Sequence, residues 1–478
     1  MPPIIATLVF VIGIIGLFWL IRDRKARPSH ALWIPLAWLL ITGSRPVSAW
    51  LSLGPTFDSP EKYLDGSPLD AAIWGFLMVA GLVVLAARQA RVAKFVQANG
   101  TILLFLVYCA LSTLWSDYSF VAFKRWTKEV GDLVVVLIVL TDKEPTAALR
   151  RLLASAAFLL LPISVLFIKY YPTLGRSYNL WNWEPMYGGI TTNKNELGMI
   201  CLVYGLGCLW CFLTAYKEKK GRERTRRMIA HGAILIIALW LLVVANSMTS
   251  LASFVLAGGL MVVTTLYRVA RKPASVQLLL MIAVGCTVSA LFLGIGGGAL
   301  KMMGRNSTLT GRTDIWNIVL SLAGNPFWGT GFESFWLGDR LQSVWRDYGL
   351  HIQEAHNGYL EVYLNLGWIG VALLGALIVM AYLNVMRALR EKQETSSLML
   401  SFLLAAVLYS FTEAGFRMMS PIWTAFLLVA TSVPKGLVPN VSISDRLPAP
   451  EDEGTLISSP YEPEFDPVTS LVPEEDNF

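Results

Sequence analysis

Residues 355–361 read AHNGYLE, and this short polar stretch runs directly into an apolar run at 359–385. It closes a segment, 296–361, that is mostly polar, aromatic and rich in glycine, and another apolar run at 276–295 precedes that segment. Apolar runs of about 20 residues are long enough to cross a bilayer as helices. The pattern therefore predicts a large polar loop between two membrane-spanning helices.

The composition of the whole chain is typical of a membrane protein. Of its 478 residues, 55% are hydrophobic and 15% are charged, whereas a soluble domain carries about 25% charged residues. The net charge of +6 comes mostly from short basic loops between apolar runs. The charge therefore does not indicate a nucleic-acid partner, and we predict a multi-pass protein of the lipid bilayer.

Thirteen apolar runs are long enough, or nearly so, to cross a bilayer. They lie at 4–21, 31–53, 69–87, 97–115, 124–141, 152–168, 195–215, 229–247, 250–267, 276–295, 359–385, 398–414 and 419–434. We predict an all-α, polytopic membrane bundle of about 12–13 transmembrane helices with a large, partly helical outer loop. Its predicted parts are N-terminal transmembrane helices (1–295), the loop (296–358), C-terminal transmembrane helices (359–434) and a disordered, acidic cytoplasmic tail (435–478).

Basic residues are distributed unevenly among the loops. One alternate set of loops holds 23 of the 39 lysines and arginines. These loops lie at 22–27, 88–94, 143–151, 217–227, 268–272 and 387–392. Because short basic loops stay on the cytoplasmic side, we predict that the loop 296–358 faces the periplasm.

Cationic side chains recur where the runs reach the predicted outer face. They are Arg45, Lys124, Arg125, Lys128, Lys194, Arg312 and Arg417. Charges at such depth usually point into a protein interior or a wet cavity, and guanidinium groups bind phosphate through paired hydrogen bonds. This ring predicts a site for a diphosphate. The alternative is that these cations snorkel to the lipid headgroups.

His356 stands just before the span at 359–385, on the predicted outer face. A histidine with a pKa near neutrality can take a proton from a sugar hydroxyl, which makes His356 a candidate general base. Glu361 is five residues further on and would be offset from the ring on a regular helix, so Glu354 or a backbone carbonyl is the better candidate to orient it. A structural role is the alternative for His356, and we expect His351 to matter much less.

Several stretches, taken in order, resemble the bacterial O-antigen ligase and polysaccharide polymerase superfamily. They are WS (115–116), TNKNELG (192–198), GR (311–312), NP (325–326), GTGF (329–332), HNGYLE (356–361) and LGWIG (366–370). The resemblance covers about residues 100–430 and is greatest to exopolysaccharide-polymerase-like members.

This resemblance implies a GT-C-like, metal-independent glycosyltransferase of the bacterial inner membrane that uses no cofactor. It would transfer or polymerise undecaprenyl-diphosphate-linked glycan at the periplasmic face, in exopolysaccharide or O-antigen biosynthesis. The acceptor would be a growing glycan or lipid A core, and a flippase and a chain-length regulator would be partner proteins. His356 would be the catalytic base. The diphosphate ligands would be Arg312, Arg125, Lys194, Arg45 and Arg417.

One departure from the family favours a polymerase over a ligase. Ligases carry an arginine or lysine near the outer start of a central span, where this chain reads NSMTS at 246–250. If Met248 takes that position, another cation must help to neutralise the leaving group. The sequence has no Asp-x-Asp pair, Walker loop or dinucleotide-binding glycine motif, which agrees with chemistry that needs neither metal nor nucleotide.

Two alternatives come from other functional classes. A flippase or transporter of lipid-linked oligosaccharide also needs a cationic cavity, but it needs no large outer loop that ends in a histidine. A non-catalytic subunit of an export machine needs neither feature. The cysteines at 208 and 211 form a C-x-x-C inside an apolar run, where we expect packing residues rather than a redox or zinc site.

Overall fold

The protein is an α-helical bundle with very little sheet. The computed structural model describes residues 1–22, 28–53, 66–178, 183–266, 273–292, 310–348 and 352–434. Its α-helices are α1 (Pro3–Leu20), α2 (Trp33–Thr42), α3 (Val47–Trp50), α4 (Pro68–Ala86), α5 (Gln89–Ala98), α6 (Gly100–Ser112), α7 (Ser119–Leu140), α8 (Pro145–Tyr170), α9 (Pro172–Gly175), α10 (Lys194–Lys217), α11 (Arg222–Ala245), α12 (Met248–Leu266), α13 (Pro273–Phe292), α14 (Thr310–Ser321), α15 (Gly338–Asp347), α16 (Gly358–Arg390), α17 (Ser396–Tyr409) and α18 (Pro421–Ala430). Short 3₁₀ helices cover His30–Leu32 and Thr113–Trp115.

The predicted all-α class is confirmed, with one small exception. Strands β1 (Arg176–Tyr178) and β2 (Pro185–Tyr187) pair in antiparallel fashion between α9 and α10. The predicted acidic tail at 435–478 and His351 lie outside the described residues.

Apolar helices cross the described part of the bundle. Seven of them are long and apolar enough to span a membrane, or eight if α5 and α6, which meet at a bend of 86°, count as one span. Four shorter apolar helices and α7 correspond to the other predicted runs, so each of the thirteen runs contains a helix. Helices α8 and α11 begin earlier than their apolar runs, in stretches that contain basic residues, and α7 begins at Ser119, before Lys124 and Arg125.

The predicted span at 31–53 is wrong in one respect, because its helix breaks at 43–46. Helix α2 ends at Thr42 and α3 restarts at Val47. A proline lacks the N–H that a helix needs and disfavours helical conformation in the residue before it. The break places Arg45, the residue before Pro46, in a non-helical segment.

Helix α10 lies at the centre of the bundle. Of its most apolar 18-residue window, 83% is buried, compared with 6% for α1 at the periphery. A helix that is apolar on all sides is expected in the interior of a membrane bundle. The first turn of α10 therefore reaches the end of the bundle from its centre.

The two ends of the bundle differ in their contacts. At one end, Arg88 pairs with Asp142 at 3.5 Å and Arg150 pairs with Glu394, which joins the basic loops. Helices α7, α10 and α16 end on this side and begin on the opposite side. The candidate site forms on that opposite side. Its exposure to the periplasm stays a prediction from the loop charges.

Helix α16 is broken at Gly367, and the preceding loop docks into the break. Gly367 has φ 63° and ψ −165°, a conformation that is essentially restricted to glycine. The freed N–H groups of Trp368 and Ile369 donate to the carbonyls of Pro326 and Phe327 at 2.9 and 3.1 Å. The LGWIG and NP motifs therefore hold the loop against the helix.

Replacing Gly367 with alanine is expected to destabilise the folded protein. A Cβ at this position would lie 2.3 Å from the Phe327 backbone, and the conformation alone costs a non-glycine residue about 1–3 kcal/mol. Thermal unfolding in detergent should therefore show a lower midpoint for Gly367→Ala. Gly375→Ala in the same helix is the control, since nothing lies within 4 Å of its Cβ position. Equal midpoints for the two variants would contradict this account.

Candidate functional site

Charged side chains from separate parts of the chain meet around His356. His356 Nδ1 lies 3.0 Å from Glu413 Oε2 and 3.0 Å from Glu354 Oε1. Arg312 Nη2, from α14, lies 2.7 Å from Glu413 Oε1. Asn195, in the first turn of α10, donates to Glu413 Oε2 at 3.3 Å. Glu413 therefore connects the histidine with an arginine and with the central helix.

A second branch runs from Glu354 to Arg417. Glu354 Oε2 lies 3.9 Å from Arg417 Nη1, and Arg417 Nε lies 3.4 Å from Glu333 Oε2. Arg125, from α7, donates to the backbone carbonyl of Glu333. We call the six linked residues the His356 network. They are Arg312, Glu413, His356, Glu354, Arg417 and Glu333.

Local sequence fixes His356 at the start of α16. Asn357 caps this helix, since its Oδ1 accepts from the N–H groups of Tyr359 and Leu360 at 3.0 and 3.1 Å, a role in which asparagine is strongly preferred. His356 itself has φ 48°, a left-handed conformation that is uncommon outside glycine. Such conformations persist where the surrounding structure fixes them, and they cluster at functional sites.

Glu361 anchors the segment that precedes His356. Its carboxylate accepts the N–H of Ala355, and it accepts the Trp336 indole N–H at 2.9 Å. The Trp316 indole donates to the Ala355 carbonyl at 2.8 Å. Glu361 therefore positions the loop rather than the imidazole, as its offset predicts. Glu354, one of the two groups expected to orient the ring, does contact it.

The turn at 410–420, which carries two members of the network, is held by α7. The Met419 N–H donates to Asp132 Oδ2 at 2.7 Å, and the Trp423 indole donates to Glu129 Oε1 at 2.8 Å. Both carboxylates are almost fully buried. Two buried acids on one face of α7 thus fix the turn from within the bundle.

The carboxylates around His356 change its protonation. Burial on its own lowers the pKa of His356, but hydrogen bonds and charges from Glu354 and Glu413 raise this pKa to about 10. Burial raises the pKa of Glu354, and contacts with His356 and with the nearby arginines hold it below its usual value. The substrate-free protein therefore carries His356 as an imidazolium at neutral pH. The near-neutral pKa expected from sequence is wrong because two carboxylates share one ring nitrogen.

Three of the predicted diphosphate ligands lie at this site. Arg312 and Arg417 belong to the His356 network, and Arg125 borders it through Glu333. Lys194, the first residue of α10, makes no hydrogen bond or ion pair within the described residues. Lys194 precedes Asn195, which donates to Glu413. Diphosphate binding by these residues stays a prediction.

Arg45 has a different environment. Its Nε and Nη2 donate to the Thr191 carbonyl at 3.2 and 3.1 Å, and Nη2 also donates to the Leu174 carbonyl. The guanidinium carbon lies 5.3 Å from the centre of the Trp50 ring. These contacts tie the break after α2 to the segment before α10. The structure thus gives Arg45 a positioning role, and its predicted diphosphate role stays a prediction.

Sequence reasoning missed Glu413 and Glu333. Glu413 lies 57 residues from His356 and 101 residues from Arg312, so no local motif connects these residues. The sequence feature that could have indicated Glu413 is its place as an acidic residue near the end of an apolar run, close to Arg417. An ionisable residue at such a position is a functional-site candidate. Glu333 follows the GTGF motif directly and has φ 50°.

The tryptophans in the segments that precede α10 and α16 divide into buried and exposed members. Trp336 is 5% exposed and binds Glu361, so its face is not available for a sugar. Trp183 and Trp328 are 74% and 46% exposed. The exposed pair can stack on a glycan or anchor at the bilayer interface.

The NSMTS stretch, where ligases carry a basic residue, borders the site. Asn246 ends α11 in a left-handed conformation, and α12 begins at Met248. Thr249 Oγ1 lies 2.6 Å from Thr412 Oγ1, one residue before Glu413. Thr249, the residue after Met248, therefore contacts the neighbour of Glu413.

One side-chain group has ligand atoms spaced closely enough for a metal ion. The donor atoms of Glu354, His356 and Glu413 all lie within 4.8 Å of one another. Both carboxylates already face a guanidinium, from Arg417 and Arg312 respectively, and these positive charges oppose a second cation. The donor set therefore favours charge pairing within the protein over metal coordination.

Two comparisons with known proteins agree with one another. Residues 198–375 match the family described as O-antigen ligase, a range that includes Arg312 and His356 but ends before Glu413. The chain is 26% identical to the exopolysaccharide production protein ExoQ of Rhizobium meliloti over 323 residues, which cover 64% of this chain and 69% of that protein. The family match covers α10 to most of α16.

Proposed function

We propose that this chain, which is similar to the O-antigen ligase family over residues 198–375 and to an exopolysaccharide production protein, polymerises undecaprenyl-diphosphate-linked glycan at the periplasmic face of the inner membrane. The observation that carries this proposal is the His356 network, which sets a base between cations at one end of a membrane bundle. Such an arrangement suits a reaction with a hydroxyl acceptor and an anionic leaving group.

His356 has the geometry of an oriented general base. Its Nδ1 is held by Glu413 and Glu354, and its Nε2 makes no hydrogen bond within the described residues. An Nδ1–H that donates to a carboxylate leaves the Nε2 lone pair for the substrate. Nε2 takes the proton of the acceptor hydroxyl while that oxygen bonds to the anomeric carbon, with inversion.

The arginines stabilise the leaving group. As the bond between the anomeric carbon and the diphosphate oxygen breaks, its electron pair stays on the diphosphate. Arg312 and Arg417 each contact one of the two carboxylates that hold His356, and each guanidinium has more N–H donors than its carboxylate contacts use. Donors that face a developing negative charge lower the barrier.

The protonation of His356 sets the pH dependence of this reaction. Because its pKa is about 10, only a small fraction of the molecules carries the neutral base at pH 7. The neutral form of His356 is a stronger base than an ordinary imidazole, and this higher basicity offsets part of the rate that is lost because so few molecules are neutral. We expect the transfer rate to rise with pH up to about 10.

Arg312→Lys is expected to lower transfer roughly ten- to a hundredfold, because a lysine ammonium lacks the planar fork and charged hydrogen bonds contribute about 1.5–3 kcal/mol. The measurement is the initial rate of glycan transfer by purified protein. Arg340→Lys is the matched control, since Arg340 forms a similar pair with Asp117 at 2.8 Å outside the network. Full activity of both Arg312→Lys and Arg312→Ala would remove Arg312 from the site.

Polymerase activity is favoured over ligase activity by two features. The relative in Rhizobium meliloti is named for exopolysaccharide production, and the basic residue of ligases is absent at 246–250. The test is to supply the purified protein, in a bilayer and in the presence of a chelator, with lipid-linked repeat units alone. Polymer without added core lipid supports the proposal. Product only after addition of lipid A core would indicate a ligase, and transport without product would indicate a flippase.

A further inference from the structure

We propose that Glu354 occupies, in the substrate-free protein, the place between His356 and Arg417 that an oxygen of the donor diphosphate takes, so that the donor binds by displacing this carboxylate. This inference rests on the proposed function, and it adds a residue that controls donor affinity. One Glu354 oxygen lies 3.0 Å from His356 Nδ1, and the other lies 3.9 Å from Arg417 Nη1. A carboxylate that bridges two cations makes the contacts that a phosphoryl group makes.

Glu354 is the most accessible carboxylate of the network. Its side chain is 32% exposed, compared with 4% for Glu413 and 13% for Glu333. A side chain at the surface of the site can move into solvent, whereas Glu413 is enclosed. An entering anion therefore meets Glu354 first.

Glu354 is also held by fewer partners than Glu413, the other carboxylate that contacts His356. Within the described residues, its polar contacts are with His356 and Arg417 only. Glu413 is held in addition by Asn195 and Arg312. Glu354 lies in a non-helical segment, two residues before the left-handed His356, so no helix constrains its backbone. Glu413 is thus the permanent partner of His356, and Glu354 is the exchangeable one.

The charge balance requires such an exchange. Arg312, Arg417 and the His356 imidazolium face three carboxylates of the network, so the cations nearest to the ring are already neutralised. A diphosphate that reaches these cations competes with the resident carboxylates. The carboxylate that leaves most readily is Glu354, which is partly exposed and has fewer partners than Glu413. In the substrate-free site, Glu354 therefore competes with weakly binding anions, whereas a diphosphate can displace it because it can bridge His356 and Arg417.

The test is the affinity of the purified full chain for inorganic pyrophosphate and for undecaprenyl diphosphate. Glu354→Gln keeps the size of the side chain and removes its charge, and we expect it to bind both probes about tenfold more tightly than wild type, since one charged contact no longer competes. Asp339→Asn, an exposed residue of α15, makes the same change in net charge and should leave both affinities unchanged. Glu354→Ala serves as a second variant in case Glu354→Gln does not fold.

The outcomes separate this inference from the proposed function. Tighter binding by the Glu354 variants, with the control unchanged, supports the displacement. If wild type binds the probes and the Glu354 variants bind them with equal or lower affinity, the displacement is overturned and the diphosphate site is not. Failure of wild type and all folded variants to bind either probe overturns the diphosphate site itself, and the displacement falls with it. An equal gain in Asp339→Asn would show a general charge effect and would also overturn the inference.

Discussion

Replacing His356 with alanine is expected to abolish glycan transfer almost completely. A positioned general base contributes about 10²–10⁴-fold, and alanine has no group that can accept a proton. Glu354 and Glu413 would remain, but both are carboxylates already engaged by arginines. The measurement is the length and amount of glycan made by cells that express the variant at the wild-type level.

Two controls separate catalysis from folding in this experiment. His351→Ala should retain most of the activity, since the family motif contains His356 and not His351. The His356→Ala protein should still bind undecaprenyl diphosphate, because Arg312 and Arg417 remain. Glycan of normal length made by the His356→Ala variant would contradict a catalytic role and indicate that His356 is structural.

Glu413→Gln is expected to have the second-largest effect, a loss of about a hundredfold in transfer rate. The glutamine keeps the shape of the side chain but loses two charged contacts, with Arg312 at 2.7 Å and with His356 at 3.0 Å. Each such contact contributes about 1.5–3 kcal/mol. The loss of both would leave the imidazole and the guanidinium less well oriented. The rate of transfer by reconstituted protein measures this effect.

The pH profile of Glu413→Gln distinguishes an oriented base from a merely structural ion pair. The charge of Glu413 raises the pKa of His356, so its removal lowers that pKa. Because only the neutral imidazole accepts a proton, the rising limb of the profile should move to lower pH while the maximal rate falls. Glu218→Gln breaks a 2.7 Å pair with Arg227 at the opposite end of the bundle and should change neither quantity. A profile of Glu413→Gln with the wild-type midpoint would contradict this role.

The sequence was sufficient to predict the membrane bundle, because apolar length is a local property. Each predicted run contains a helix. The exception at 31–53 also has a local cause, the proline after Arg45, and could have been predicted from it. The first residues of α8 and α11 could not be predicted in this way, because apolarity indicates the part of a helix that lies in the bilayer and not where its hydrogen bonding begins.

The site was predictable in part. His356 and Arg312 stand in recognisable motifs, and cations such as Arg417 and Arg125 could be found from their place at the ends of spans. Glu413 could not be assigned, because its partners come from α10, α14 and the segment before α16. Such contacts depend on how the helices pack, and one sequence without its fold does not give that packing.

Two of the family motifs have a structural explanation that the sequence did not show. Gly329 has φ 70°, and a Cβ there would lie 2.4 Å from the Asn365 backbone. Together with Gly367, it allows the loop to pack against the broken helix. The glycines of the GTGF and LGWIG motifs therefore determine the backbone conformation of the segments near Glu333 and His356. The candidates for chemistry are these two ionisable side chains and not the glycines.

The most direct test of this account is transfer from a lipid-linked donor by wild type and His356→Ala, each reconstituted in a bilayer, from about pH 6 to about pH 10. The account predicts polymer from wild type, at a rate that rises across this range as His356 loses its proton, and almost none from His356→Ala at any pH. Equal rates for the two proteins, with the same dependence on pH, would contradict the claim that His356 is the base.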